Sequence, residues 1–276
     1  MLVNLNDVLR PAMKGKYAVG LFNTIDTDML QAAIDAAEEM RSPIIIGTAE
    51  VLLPSGELHL IAPSVIAQAK RASVPVVVHF DHGLTFDRCM EALKLGFTSV
   101  MYDGSAKDYE TNISETREIV KVAHAFGATV EGEIGHVGTI GEDADFDSHT
   151  TVQEAIDYLD ATGVDALAIA VGTAHGTYKS KPKLAFERIS EIRSAVEAPL
   201  VLHGASGLTD EDFSGAIACG IAKMNIYTDL CVAGIQAMAA AIGENLPYTE
   251  IRDRKMEAIK QAVKRKLLLF GSVGKA

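Results

Sequence analysis

Short apolar runs rich in β-branched residues alternate along this chain with longer segments whose apolar positions recur at i, i+3, i+4 and i+7. Runs of the first kind predict buried strands, and the second predict amphipathic helices packed against them. Strands are expected at "YAVGLF" (17–22), "PIIIG" (43–47), "PVVVHF" (75–80) and "TSVMY" (98–102). The second half adds "TVEGE" (129–133), "DALAIAV" (165–171), "PLVLH" (199–203) and "IAKMNI" (221–226). Helices are expected between them, for example at "TDMLQAAIDAAEEM" (27–40) and "NISETREIVKVAHAF" (112–126).

Punctuating residues agree with this reading. Thr27 and Asp28 are candidate caps of the first of these helices, and Thr209-Asp210-Glu211-Asp212 opens a later one. Pro43, Pro75 and Pro199 stand at strand starts, where a missing N–H does least harm. "LKLGFTSV", "AFGATV", "ATGVDALAI" and "ACGIAKMNI" repeat a helix end, a glycine and the next strand, as a left-handed cap requires. Eight strand–helix units in this length predict a (β/α)8 TIM barrel occupying residues 1–276 as a single domain. A doubly wound open sheet is the structural alternative, but no GxGxxG follows the first strand. Residues 248–269, "YTEIRDRKMEAIKQAVKRKLLL", form an additional C-terminal helix whose lysines and arginines read as a solvated face or a dimer contact.

Composition narrows the class. With 276 residues, 48% hydrophobic and 22% charged, the chain is globular and long enough for a substantial core. A net charge of −12 argues against general affinity for nucleic acid or anionic membrane, yet allows a phosphorylated ligand bound locally by backbone N–H groups. Cys89, Cys219 and Cys231 form no CxxC pair and read as reduced thiols of a cytoplasmic protein. No signal peptide is evident, since Asn4, Asn6, Asp7 and Arg10 interrupt the start, and no apolar run reaches bilayer length.

Barrel chemistry belongs at the C-terminal ends of the strands. Read in order, those ends carry Asn23, Thr48, His79 with Asp81 and His82, Asp103, Glu131 with Glu133, His175, His203 with Ser206, and Asn225 with Thr228. The strand starts carry Pro, Ala, Thr and Ile. A lone histidine at a strand end is commonly a hydrogen-bonded packing residue. Three of them, in "DHG" (81–83), "AHG" (174–176) and "LHGASG" (202–207), would converge around one axis in a closed barrel. Three neutral imidazoles, His82, His175 and His203, with an open position suit a catalytic zinc ion. Asp81 is suited to move a proton on a substrate oxygen, and His79, on the same face, to a supporting role. His82 falls just beyond the strand, in the turn.

Two further stretches carry candidate chemistry. "VEGEIGHVGTIGEDADFDSHT" (130–150) is a long irregular segment that could carry Glu142 or Asp143 onto a substrate, or be a solvated acidic loop. "GASGLTDED" (204–212) and "NIYTDL" (225–230) place small residues and hydroxyls before helices, where an anion such as phosphate is favoured. Lys179 and Lys223 could add charge there.

The segments "VHFDHG", "VMYDGS", "VEGEIGHVG", "IAVGTAHGTY", "LVLHGASG" and "KMNIYTDL" occur in the order found in class II, metal-dependent fructose-bisphosphate and tagatose-bisphosphate aldolases, which the chain resembles over its whole length. The resemblance implies His82, His175 and His203 as zinc ligands, with Asp81 as acid/base on the hydroxyl at the bond made or cleaved. It implies Asp103 and Glu133 as residues that order the first site or hold a second divalent or monovalent cation. Glu142 resembles the group that moves a carbon-bound proton of dihydroxyacetone phosphate, although the loop's length leaves Asp143 in competition. Gly176, Gly204, Ala205, Ser206, Asn225, Ile226, Tyr227 and Thr228 resemble the triose-phosphate site, with Asn23 and Lys179 among the substrate contacts.

The implied reaction is reversible cleavage of a ketose phosphate, such as fructose- or tagatose-1,6-bisphosphate, to dihydroxyacetone phosphate and an aldehyde. A divalent cation would stabilise charge as carbon next to the ketone loses its proton. Tyr227 replaces an acidic or small residue of the familiar enzymes, and "IIGTAEVLLPSG" departs from their serine-containing loop. Both departures imply an unusual or non-phosphorylated aldehyde as the alternative. A zinc barrel hydrolase is a more distant alternative, disfavoured because the first strand ends "LFNT" without a histidine pair. A binding barrel without catalysis is disfavoured by the intact histidine set. Homodimers or homotetramers are what the resemblance implies for assembly.

Overall fold

The structure, a computed structural model, describes residues 1–135, 149–174 and 182–276. Eight parallel strands close into a barrel: β2 (Val19–Asn23), β3 (Ile44–Ala49), β4 (Val76–Gly83), β5 (Ser99–Tyr102), β6 (Thr129–Ile134), β7 (Ala166–Ile169), β8 (Leu200–Leu202) and β9 (Ile221–Ile226). β9 returns to β2 with Asn225 opposite Leu21, which closes the ring. All eight expected strands are present within a few residues of their expected limits. A two-residue strand, β1 (Leu2–Val3), pairs with the start of β4 below the point where β5 begins.

Alternation along each strand sorts the side chains into two environments. Phe22, Ile44, Ile46, Val76, Val78, Phe80, Leu200 and Leu202 belong to the core between the strands and the surrounding helices. The intervening positions point into the barrel. At its N-terminal end these are Val19, Leu21, Ile45, Val77, Ala166, Ala168 and Val201, packed against Leu5, Val8, Leu9 and Ala12 of helix α1 (Leu5–Gly15). That helix plugs the barrel floor. The sequence pattern missed it because its apolar stripe is short and polar residues surround it. Asn4 nonetheless caps it in a capping box with Asp7.

One layer higher the same alternation delivers polar side chains: Asn23, His79, Asp81, Ser99, Glu131, Glu133, Lys223 and Asn225, all buried. A barrel interior is packed by residues from every strand, so burying this many polar groups requires that they satisfy one another.

Two helical readings are corrected in detail. Helix α2 (Thr27–Met40) has the expected limits, but its cap is Asp26, whose carboxylate accepts from Met29 N at 2.8 Å; Thr27 and Asp28 lie inside the helix. The last helix, α10 (Tyr248–Leu269), also has the expected limits, yet part of its basic side docks on α2 instead of facing solvent. Lys255 pairs with Asp26 and Asp28 at 2.8 and 3.1 Å, Arg252 with Asp28 at 2.8 Å, and Lys260 and Lys264 with Glu39. Thr209 caps helix α8 (Asp210–Cys219) as expected. Among the described residues no helix is long and apolar enough to cross a membrane.

Candidate active site

The end of β4 is where the backbone departs from regularity. Its pairing with β5 shifts register between Phe80 and Gly83, and His82 sits in the left-handed region at φ +46. The strand therefore runs through His82 to Gly83, not stopping before it as the sequence suggested. The irregularity lets consecutive residues serve one site. Asp81 keeps its inward position, and His82 turns across the mouth of the barrel.

Two imidazoles meet there. His82 Nε2 lies 2.7 Å from His203 Nδ1, and the rings are edge to face with centroids 4.5 Å apart. Each ring is held from behind by a carboxylate: His82 Nδ1 donates to Asp103 Oδ2 at 2.8 Å, and His203 Nε2 donates to Glu131 Oε1 at 2.8 Å. Asp103 is itself fixed by the backbone N–H and hydroxyl of Ser105. With the outer nitrogens carrying protons, two lone pairs point at each other across 2.7 Å. Only a shared proton or a cation makes that arrangement favourable. Carboxylate–histidine pairs of this kind are the usual outer support of metal-binding imidazoles.

Further donors stand within reach. Asp81, His82 and His203 each offer an atom within 4.8 Å of the others, as do His82, Asp103 and Glu133. Glu133 Oε2 is 3.8 Å from His203 Nδ1. The donor set, imidazole nitrogens with carboxylate oxygens, suits a borderline divalent cation such as zinc.

Electrostatics matches the geometry. Burial alone would lower the pKa of His82, but Asp81 and the bonded Asp103 push it up to about 9. His203 is lowered, by burial and then by the charge of His82. Burial would raise the Asp81 carboxyl, yet His82, Lys223 and the other imidazoles hold it well below the ordinary carboxylate range. Asp103 is likewise held low against burial, chiefly by its bond from His82. Both carboxylates are thus anions that hold positive charge at this place.

Asp81 is positioned by two amides. Asn23 Nδ2 donates to its Oδ2 at 2.7 Å, and Asn225 Nδ2 to its Oδ1 at 3.0 Å. Gly47 makes room for the first of these, since a Cβ there would stand 2.4 Å from Asn23 Oδ1. His79 lies below, bonded through Nδ1 to Ser99 Oγ at 2.7 Å, with Nε2 3.9 Å from Asp81 Oδ1. Burial drives its pKa down to about 3, so it is a neutral support. Ser99 carried no sequence signal beyond its inward parity.

Above this layer a cavity of about 260 Å³ opens, lined by Asn23, Asp81 and His82, by Gly204 to Ser206, and by Asn225 to Thr228. Its far wall, Ala49, Val51 and Leu52, belongs to the segment "IIGTAEVLLPSG" that departs from the family's loop, and comes from β3 and the short 3-10 helix Glu50–Ser55. Gly204 (φ +63) brings the chain so close to Ala174 O that a Cβ would lie 2.5 Å away. Ser206 Oγ accepts from Tyr227 N at 3.2 Å, tying the two loops together. Helix α9 (Thr228–Gly243) starts at the cavity wall, with its first N–H groups at that end. The side chains of Ala205 and Ile226 are packed in the core. Tyr227 is half-buried, and burial together with its bond to Cys231 raises the phenol above its ordinary pKa. The expected site residues His175, Gly176, Lys179 and Glu142, with Asp143, lie outside the described residues.

A parallel barrel that gathers imidazoles, carboxylates and a helix start at the C-terminal ends of its strands has the layout of a barrel enzyme with its chemistry at that end. Comparison with known proteins gives the family. Residues 3–275 match the family described as fructose-bisphosphate aldolase class-II, and the chain belongs to it. It is 41% identical to a fructose-bisphosphate aldolase of Thermus caldophilus, with all of both chains covered. A sulfofructosephosphate aldolase of Alkalicoccus urumqiensis is 38% identical, covering 98% of this chain and 96% of that one. The crystal structure of the YdjI aldolase from Escherichia coli K12 superposes with a TM-score of 0.91 at 36% identity, covering both chains completely. The chain is therefore a lyase of the class II aldolase kind, and the hydrolase alternative falls away.

Proposed function

We propose that the protein cleaves a ketose phosphate reversibly to dihydroxyacetone phosphate and an aldehyde, with zinc as the catalytic cofactor. The observation that carries this reading is the 2.7 Å approach of His82 Nε2 and His203 Nδ1, each imidazole backed by a carboxylate. His82, His203 and, by its place in the sequence, His175 would hold the ion; Asp103 orients His82, and Glu133 stands near enough to assist or to contact a second cation. A bound divalent ion would supply the electrophile that makes the carbon next to the substrate ketone acidic.

The remaining chemistry belongs to the chain. Asp81, an anion held by Asn23 and Asn225, exchanges a proton with the hydroxyl at the bond being made or broken. Gly204 to Ser206 and the α9 start, Asn225 to Thr228, bind the triose phosphate, helped by the helix dipole. Glu142 is the candidate for the carbon-bound proton, with Asp143 as its competitor, and Gly176 and Lys179 complete the phosphate side. The reading takes residues 1–276 as one barrel domain, cytoplasmic, assembled as a homodimer or homotetramer.

Fructose- and tagatose-1,6-bisphosphate are the reference substrates. A second reading, an aldehyde without a phosphate, is favoured by the wall opposite α9. Ala49, Val51 and Leu52 are apolar, and Glu50 beside them accepts from Leu84 N at 2.7 Å. An apolar wall with a carboxylate behind it is a poor seat for a second phosphate. Incubating the enzyme with dihydroxyacetone phosphate and a panel of phosphorylated and unphosphorylated aldehydes ranks the two. Fastest condensation with glyceraldehyde 3-phosphate supports a bisphosphate substrate. No condensation with any aldehyde in the presence of zinc would sink the aldolase reading.

A further inference from the structure

Lys223 is fully buried at the centre of the barrel, an unusual place for a lysine, and the proposed reaction gives it no task. Its ammonium donates two hydrogen bonds and is ion-paired with the Glu131 carboxylate. Nζ lies 2.8 Å from Glu131 Oε2, 3.1 Å from Glu131 Oε1 and 2.8 Å from Asn225 Oδ1. A buried charge is tolerable when it is paired and hydrogen-bonded, and this one has the Glu131 carboxylate and the Asn225 carbonyl oxygen around it.

Each acceptor passes an orientation onward. Glu131 Oε1 also accepts from His203 Nε2 at 2.8 Å, so an ionised Glu131 keeps the proton on Nε2 and turns the Nδ1 lone pair towards His82. Asn225 has its carbonyl oxygen on the ammonium, so its NH2 must face the other way, and it donates to Asp81 Oδ1 at 3.0 Å. With the opposite amide orientation, an N–H would face the ammonium and a carbonyl oxygen would face a carboxylate. Both contacts would be repulsive. Lys223 and Asn225 are two apart on β9, so both side chains project inward from one strand. Glu131 and His203 come from β6 and from the end of β8, and Asp81 from β4.

We infer that Lys223 is a positioning residue that fixes Asp81 through Asn225 and His203 through Glu131, coupling the proton-transfer group to the metal-binding imidazole from one buried ammonium. The inference rests on the proposed roles of Asp81 and His203. It is distinct from a Schiff-base role, because an ammonium ion-paired with Glu131 and bonded to Asn225 has no free lone pair and does not line the cavity.

The test uses the full chain and two variants. Lys223→Met keeps the length and removes the charge and the donors. Lys223→Met/Glu131→Gln also removes the carboxylate left behind, while the new side-chain amide can still accept from His203 Nε2–H through its carbonyl oxygen. Zinc affinity, read by competition with a chromophoric chelator, is expected to fall about 10-fold or more in the single variant and to recover in the double one. The kcat of zinc-loaded enzyme is expected to fall about 10-fold or more in both, since both lose the restraint on Asn225, with KM for dihydroxyacetone phosphate nearly unchanged.

Wild-type zinc affinity and kcat in Lys223→Met would overturn the inference. So would a double variant no better than the single one in zinc affinity, which would make Lys223 a packing residue. If the single variant fails to fold, the double variant, with no lone buried charge, decides: its recovered zinc affinity with lowered kcat supports the coupling, and wild-type kcat overturns it. A wild-type enzyme that binds zinc but cleaves no ketose phosphate would count against the proposed function alone, because the affinity comparison needs no turnover.

Discussion

His82 Nε2 and His203 Nδ1, 121 residues apart in sequence, lie 2.7 Å from each other, and each ring is held from the far side by a carboxylate of another strand end. Under the proposed function the two rings are half of the zinc site. Neither ring must turn to present its lone pair.

Metal content tests that conclusion first. Purified protein is expected to hold about one zinc per chain, and removal by a strong chelator to abolish ketose-phosphate cleavage. Asp103→Ala, which frees His82 Nδ1, is expected to weaken zinc binding roughly 10- to 100-fold. Elemental analysis and chelator competition read both. Full activity in metal-free protein would refute the site.

Asp81→Ala removes the carboxylate between Asn23 and Asn225 without touching either imidazole's outer partner. Zinc content should stay near wild type while cleavage slows roughly 10²-fold or more. Wild-type turnover in this variant would take Asp81 out of the acid/base role.

Gly47 faces Asn23, and a Cβ there would stand 2.4 Å from Asn23 Oδ1. Gly47→Ala should therefore displace the Asn23 amide from Asp81, cost about 1–3 kcal/mol of stability through overpacking, and lower kcat by roughly 10-fold. Because the catalytic loss passes through Asn23, adding Gly47→Ala to Asn23→Ala should lower kcat little further. Fully additive losses in that double-mutant cycle would show that Gly47 acts by another route.

The sequence displays the strands, the inward parity of His79 and Asp81, and the histidines at the ends of β4 and β8, because period-two alternation and glycine punctuation are local signals. It does not display which carboxylate backs which imidazole. Glu131 meets His203 and Asp103 meets His82 only when the ring closes, and barrel register is a non-local property. Helix α1 was illegible for a similar reason: Leu5, Val8, Leu9 and Ala12 make sense as a stripe only once a barrel floor exists to receive them. The Ser99 hydroxyl under His79 is of the same kind, an ordinary residue given meaning by its neighbour on the next strand.

His79 makes stability depend on pH in a definite direction. Folded, it stays neutral because burial, reinforced by Lys223, holds its pKa near 3 against the raising influence of Glu131 and Asp81; unfolded, it takes a proton near 6.5. Between those values the unfolded chain binds the extra proton and the folded chain does not. The stabilisation from His79 is complete above about pH 6.5 and is lost progressively as pH falls towards 3, by up to about 1.4 kcal/mol per pH unit. His82, whose folded pKa lies near 9, contributes in the opposite sense, with stability present below about pH 6.5 and lost as pH rises towards 9. A plain pH–stability curve therefore mixes the two. The difference between wild type and His79→Gln isolates the first, since His82 is present in both. Urea unfolding of chelator-treated protein from about pH 4.5 to about 7.5 should show the wild type losing its advantage over the variant as the solution is acidified. A difference independent of pH would mean that His79 takes up its proton in the folded barrel at the same pH as in the unfolded chain.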